Sequence, residues 1–277
     1  MNFVLSSTST AILALCFFCS RHRGKGGETS VIESADSVPG FVDKVVASIA
    51  TDNPEDFARL VSYPLARPYP LRDIKDEEEM KKYYRTMVDD SLREAIAGER
   101  RKKWQEMGWR GWTLDEGQYV WVDSLIYDVP YISRNESMEL ERLSRSEMES
   151  LAPQLRHGWL PLMCLKSIDS DDIFRIDRKK DTDPGANSKK DPRPRVRLAF
   201  YRNGTDLKGR PTDILEGTMT AEGTMQTRVF TFQSPRGTQV TLTCDPPDGS
   251  DEVLVIIYPD SREPKNVTVI PVYWLDL

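Results

Sequence analysis

Residues 104–122 read WQEMGWRGWTLDEGQYVWV. Four of the chain's six tryptophans fall in this stretch, and beyond Gly111 the apolar residues begin to alternate. Tyr119 and Trp121, then Leu125, Tyr127 and Val129, recur with a period of two, the side-chain repeat of a strand with one buried face. Asp123-Ser124 supplies a turn between them. Tryptophan and tyrosine join a large apolar area to a polar tip, so such a run either lines a pocket or seals a sheet against helices.

Upstream the period is helical. Phe41, Val45, Val46 and Ile49 form one stripe. Asn53-Pro54 then restarts a helix: Asn53 suits the N-cap, Pro54 the first turn, and Glu55 and Asp56 the positive end of the dipole. Phe57, Leu60 and Val61 give that helix a buried side, and Pro64, Pro68 and Pro70 force an extended connection. A longer helix is predicted over residues 76–97. It opens on Asp76 with Glu77, Glu78 and Glu79, carries Met80, Tyr84, Met87, Val88, Leu92, Ala95 and Ile96 on one face, and stops at Gly98.

Downstream, residues 133–156 read as a polar surface helix with Met138, Leu140, Leu143, Met148 and Leu151 as its apolar positions. Strands are predicted over 159–165 and 173–176. Residues 177–195, DRKKDTDPGANSKKDPRPR, have the composition of a charged linker. From Val196 onward short strands follow one another over 196–201, 214–220, 226–231, 239–243, 252–258 and 267–274, with turn residues between them. That spacing argues for an antiparallel sandwich or barrel. The fold class is therefore α+β, with a segment at 1–19, a tether at 20–37, an α+β domain at 38–176, the linker at 177–195 and a β-rich domain at 196–277.

A net charge of −6 over 277 residues argues against a nucleic-acid binder, whose footprint is a basic face. His22 and His157 are the only histidines, which leaves little imidazole for metal binding or neutral-pH acid–base work. No phosphate loop, CxxC pair, HExxH or GxSxG occurs, so no cofactor, metal or catalytic residue is assigned. Asp169-Ser170-Asp171-Asp172 lacks the spacing and glycine of a calcium loop. Asp115, Glu116 and Asp123 are the acids nearest the tryptophans, in turn-like contexts. Cys164 and Cys244 are either a disulfide, if their strands neighbour each other, or two buried thiols.

The N-terminus is apolar or small from Phe3 to Cys19, too short to span a bilayer and better suited to a signal sequence. A cysteine at the end of such a run resembles the acylated residue of a bacterial lipoprotein, so Cys19 is the expected lipidation site. Two details disagree: no Lys or Arg precedes the run, and Phe17-Phe18 before Cys19 are bulkier than the small residues of a lipoprotein cleavage site. Arg21, Arg23 and Lys25 after it favour an uncleaved, reversed insertion instead.

The order helix, helix, Ser62-Tyr63-Pro64-Leu65, helix with Tyr83-Tyr84, then Gly108-Trp109-Arg110-Gly111 and Gly117-Gln118-Tyr119-Val120-Trp121 resembles the NTF2-like (cystatin-like) superfamily, in particular its members in bacterial envelope lipoproteins. The resemblance covers about residues 38–180 and implies helices on a bent antiparallel sheet, a cone whose mouth binds a ligand or partner. Residues 196–277 resemble no family. Trp104, Trp109, Trp112, Tyr119 and Trp121 are the candidate ligand-binding residues. The expected role is that of a non-catalytic exported protein on the periplasmic face of a membrane, attached by its N-terminus and binding a small molecule or envelope protein; a homodimer is an allowed assembly. The alternative is a small-molecule isomerase, dehydratase or hydrolase working through a carboxylate in the cone.

Overall fold

The computed structural model describes residues 40–98, 103–180, 193–204, 207–222, 227–244, 253–259 and 263–277. Cys19, the tether and residues 181–192 of the expected linker lie outside the described residues. The chain divides between Ser37 and Val38, and residues 38–277 form one unit.

The helical part follows its caps. α1 (Gly40–Ala50) buries Val42, Val45, Val46 and Ile49. Asn53 Oδ1 accepts the Asp56 N–H at 3.2 Å to open α2 (Pro54–Ala58). Asp76 does the same for α3 (Glu77–Met87), accepting the Glu79 N–H at 2.8 Å. The single helix expected over 76–97 is two, because α4 (Asp90–Ala97) starts from a new cap at Asp89. Asp89 accepts from the Leu92 N–H at 3.0 Å, the Tyr131 hydroxyl at 2.8 Å and the Arg134 N–H at 3.2 Å. Such side-chain bonds offer the backbone an alternative to continuing the helix. Burial would raise the Asp89 carboxyl, but these donors outweigh it and hold the group below the usual carboxylate range.

A small antiparallel meander follows, of β1 (Trp104–Glu106), β2 (Trp112–Leu114), β3 (Trp121–Val122) and β4 (Ile126–Asp128). Gly111, at φ +78°, joins it where any Cβ would stand 2.2 Å from the Val122 carbonyl oxygen. Helices and meander share one packed core. Met80, Tyr84, Met87 and Trp104 belong to one buried cluster with Val45, Phe57, Leu114 and Ile126, and Phe57 meets Tyr84 edge-on at 5.4 Å.

After α5 (Arg134–Ser150), eight strands close an antiparallel barrel, each paired to the next in sequence. They are β5 (Trp159–Ser167), β6 (Ile173–Lys179), β7 (Arg195–Tyr201), β8 (Asp213–Glu222), β9 (Thr227–Gln233), β10 (Gln239–Cys244), β11 (Val253–Tyr258) and β12 (Lys265–Pro271). β12 returns to β5, pairing Val269 with Ser167 and Pro271 with Leu165. Closure leaves the barrel, among the described residues, without an edge strand. The interior is packed, with Phe174, Leu198, Phe230, Phe232, Leu242 and Val255 all buried there. Gly217 faces Phe232 across the β8–β9 pair, where a Cβ would meet the Thr231 carbonyl oxygen at 2.0 Å.

One expectation changes here, and one open alternative closes. β5 and β6, placed by the sequence in the first domain, are barrel staves, so the boundary at 177–195 falls between the paired strands β6 and β7. Cys164 packs on the outside of β5 and Cys244 inside β10, with β11 and β12 between their strands, so no disulfide joins them and both thiols are buried.

Candidate functional site

The site is built on α5. Ser133 and Glu136 form a reciprocal capping box at its start, Ser133 Oγ accepting the Glu136 N–H and Glu136 Oε2 accepting the Ser133 N–H, both at 3.0 Å. It is the surface helix expected, with most of its residues exposed, but its one buried face carries the charged Glu136 and Glu147. The spacing of eleven residues is three turns, so the two carboxylates lie on one side about 16 Å apart along the axis.

Each glutamate meets an arginine. Arg67, in the proline-rich connection, donates Nε–H to Glu136 Oε1 at 2.9 Å and other N–H groups to the Val129 and Tyr131 carbonyls. The Tyr83 hydroxyl donates to the same Glu136 oxygen at 3.1 Å. Glu147 pairs with Arg175 on the outer face of β6, Arg175 with Asp177 at 2.8 Å, and Asp177 with Arg197 on β7. The Tyr69 hydroxyl donates to Glu147 at 2.7 Å and accepts the Trp274 N–H at 3.1 Å. Arg175 lies over the Trp274 ring at 4.9 Å and Arg197 over Trp159 at 4.7 Å, so the guanidinium faces are covered as well as their edges. Two guanidiniums against two carboxylates make this quartet neutral, which is how charge survives in an interior. Burial pushes the Glu147 carboxyl above its usual range, with Arg175 and Tyr69 pulling the other way.

This ionic seam holds α5 against the barrel and leaves a groove beside it. The groove, about 1210 Å³, runs from Pro68 and Asp128 on the helical side, past Leu140 and Met148 of α5, to Leu160 of β5 and the barrel mouth. Leu71, Asp73 and Tyr273 separate it from a cavity of about 520 Å³ bordered by Tyr83 and Trp274. Asp128, half-buried at one end of the groove, is raised by burial while Arg67 opposes the shift. His157 is exposed at the rim.

The five aromatic candidates do not converge on either cavity. Trp104 is 7% exposed inside the helical core, whereas Trp109 is 70% exposed with Arg110 over its ring. Trp112 and Tyr119 pack against the core from its edge, Tyr119 stacked on Tyr131 at 5.6 Å. Trp121 leans on Tyr127 and covers Gly117. Trp104, Trp112 and Tyr119 pack the helical core, and Trp109 takes no part in it. Asp115 is tied to Lys103 at 2.8 Å, and Asp123 is exposed.

The charged groups that build the site went unassigned in the sequence, though it carries a trace of them. Glu136 and Glu147 share a helical face with Leu140 and Leu143, and Arg175 and Asp177 interrupt the apolar run of β6. Among the described residues no group of three or more His, Cys, Asp or Glu could hold a metal ion. No protein-family model, curated protein or solved structure matches this chain.

Proposed function

We propose that the protein is a non-catalytic, exported, membrane-tethered binding protein that takes its ligand in the groove between α5 and the barrel. The groove carries this reading. Its volume is that of a site for a drug-sized or somewhat longer ligand, and its lining mixes apolar side chains with a few polar ones, as binding sites do. The NTF2-like reading of the helical part is supported by the order α1, α2, proline turn, the α3–α4 pair and then an antiparallel meander. The binding place moves, because Met80, Tyr84, Met87 and Trp104 are buried in the core that the helices share with the meander. The same packing weighs against an enzyme with a carboxylate at the base of an open cone.

The neutral dye Nile red is expected to bind the full chain, and Leu140→Arg, a charge set in the apolar wall, to weaken that binding at least tenfold. Leu140 is only partly buried, so the fold tolerates the change. No dye binding by the parent, or equal binding by the variant, would remove the groove from consideration.

The tether rests on the N-terminal sequence. No helix of the described residues is long and apolar enough to cross a membrane. More than one buried acyl chain, at about 0.8 kcal/mol per CH₂, anchors a protein stably without a spanning helix. The parent is expected in the membrane fraction with the intact mass of an acylated chain, and Cys19→Ala in the soluble fraction. An unmodified, soluble parent would sink the idea; a variant still in the membrane would assign the anchor to the apolar run itself.

A further inference from the structure

At one end of the barrel the inward-facing alternation finishes on arginine. Arg178 follows Phe174 and Ile176 on the inner face of β6 and stands opposite Leu160 and Val196. Arg228 precedes Phe230 and Phe232 on β9 and stands opposite Cys244, again on the inner face. Both open into the groove, joined there by Lys180, and both are exposed at the mouth. Among the described residues, neither guanidinium has a side-chain hydrogen bond or an ion pair. The contrast with Arg67, Arg175 and Arg197, whose partners are all within the fold, is plain.

The groove is therefore polarised. Its far end carries Asp73 and Asp128, and the apolar wall between the ends includes Leu140, Met148 and Leu160. Glu141 and Glu149 also line the groove, accompanied by Arg145 and Arg156, and Glu141 is engaged by Arg145 at 2.6 Å. We propose that the groove binds an amphipathic anion, a carboxylate or phosphate head held across Arg178 and Arg228 with a single apolar chain lying along that wall. Guanidinium forks match both head groups bidentately, and the acids at the far end orient the chain by repelling the head. The packed barrel interior keeps the chain outside the barrel, in the groove. This inference rests on the groove being the binding site and adds the chemistry of what it takes.

Competition against bound Nile red tests it. Dodecanoate and dodecyl phosphate are expected to displace the dye at concentrations at least tenfold below that of dodecyltrimethylammonium, which has the same chain and the opposite charge. In the Arg178→Gln/Arg228→Gln protein the two anions should lose at least tenfold while the cation is unchanged. Arg236→Gln, an exposed arginine in the turn at the opposite end of the barrel, should alter nothing. Equal displacement by anion and cation, or an effect of Arg236→Gln matching the mouth variants, overturns the proposal while leaving the groove as a binding site. Displacement by inorganic phosphate as effective as by dodecyl phosphate overturns the apolar-chain part. Absence of dye binding in the parent is a different failure, that of the groove itself.

Discussion

Replacing Arg175 by alanine is expected to cost about 3–5 kcal/mol of stability, the usual penalty for removing one partner of a buried ion pair. Arg175 is fully buried between Glu147 and Asp177, and its loss leaves two carboxylates facing each other in a site closed by Tyr69, Met148 and Trp274. Asp177 keeps Arg197, so the damage falls on Glu147. The pH dependence follows from its direction of shift. Burial already raises Glu147 above its ordinary 4.5, and without the opposing guanidinium it rises further. A raised folded-state pKa gives stability that is complete below the unfolded value and is lost as pH climbs through the folded value. The deficit of Arg175→Ala is therefore smallest near pH 4 and grows toward neutral pH. Urea denaturation followed by tryptophan fluorescence at several pH values measures it. In the Glu147→Leu/Arg175→Met protein, where both charges leave together and volume is kept, most of the loss should be recovered. A cost under about 1 kcal/mol for Arg175→Ala would show that the seam does not hold α5 to the barrel.

Arg67→Ala should be comparably severe, again about 3–5 kcal/mol. Arg67 satisfies three acceptors, the Glu136 carboxylate and the Val129 and Tyr131 carbonyls, and Glu136 is fully buried. Arg67→Lys should recover little, because one ammonium cannot reproduce a planar fork aimed at acceptors in three directions. Since Glu136 also completes the capping box, the Ser133 and Glu136 amides should exchange with solvent faster in the alanine variant. The two seams are about 16 Å apart along α5, so the losses in Arg67→Ala/Arg175→Ala should add to within about 0.5 kcal/mol. Strong non-additivity would mean that α5 docks as one cooperative piece, and unchanged amide exchange would remove Arg67 as its support.

What the amino-acid sequence determined by itself was local. Asn53 and Asp76 start helices where a side-chain oxygen next to an apolar stripe says they should, because capping needs only residues three apart. The strands from β5 to β12 were legible within a few residues, since alternation and turn residues are contained in each segment. Even the break at Asp89 had a local cause, an extra cap within an otherwise continuous stripe. Closure was not local. Whether β5 joins β12, and so whether the strands make a sandwich or a barrel, depends on a contact between residues 165–167 and 269–271, and neither segment carries a mark of its partner. Burial of charge was decided the same way. Read locally, Glu136, Glu147, Arg67 and Arg175 belong in water, because an ionised side chain is desolvated at a cost of several kcal/mol. Only the tertiary structure brings Arg67 to Glu136 across 69 positions and Arg175 to Glu147 across 28, and those pairings turn the polar face of α5 into its docking face. The groove, and the arginines at its barrel end, exist because that docking leaves space beside the helix.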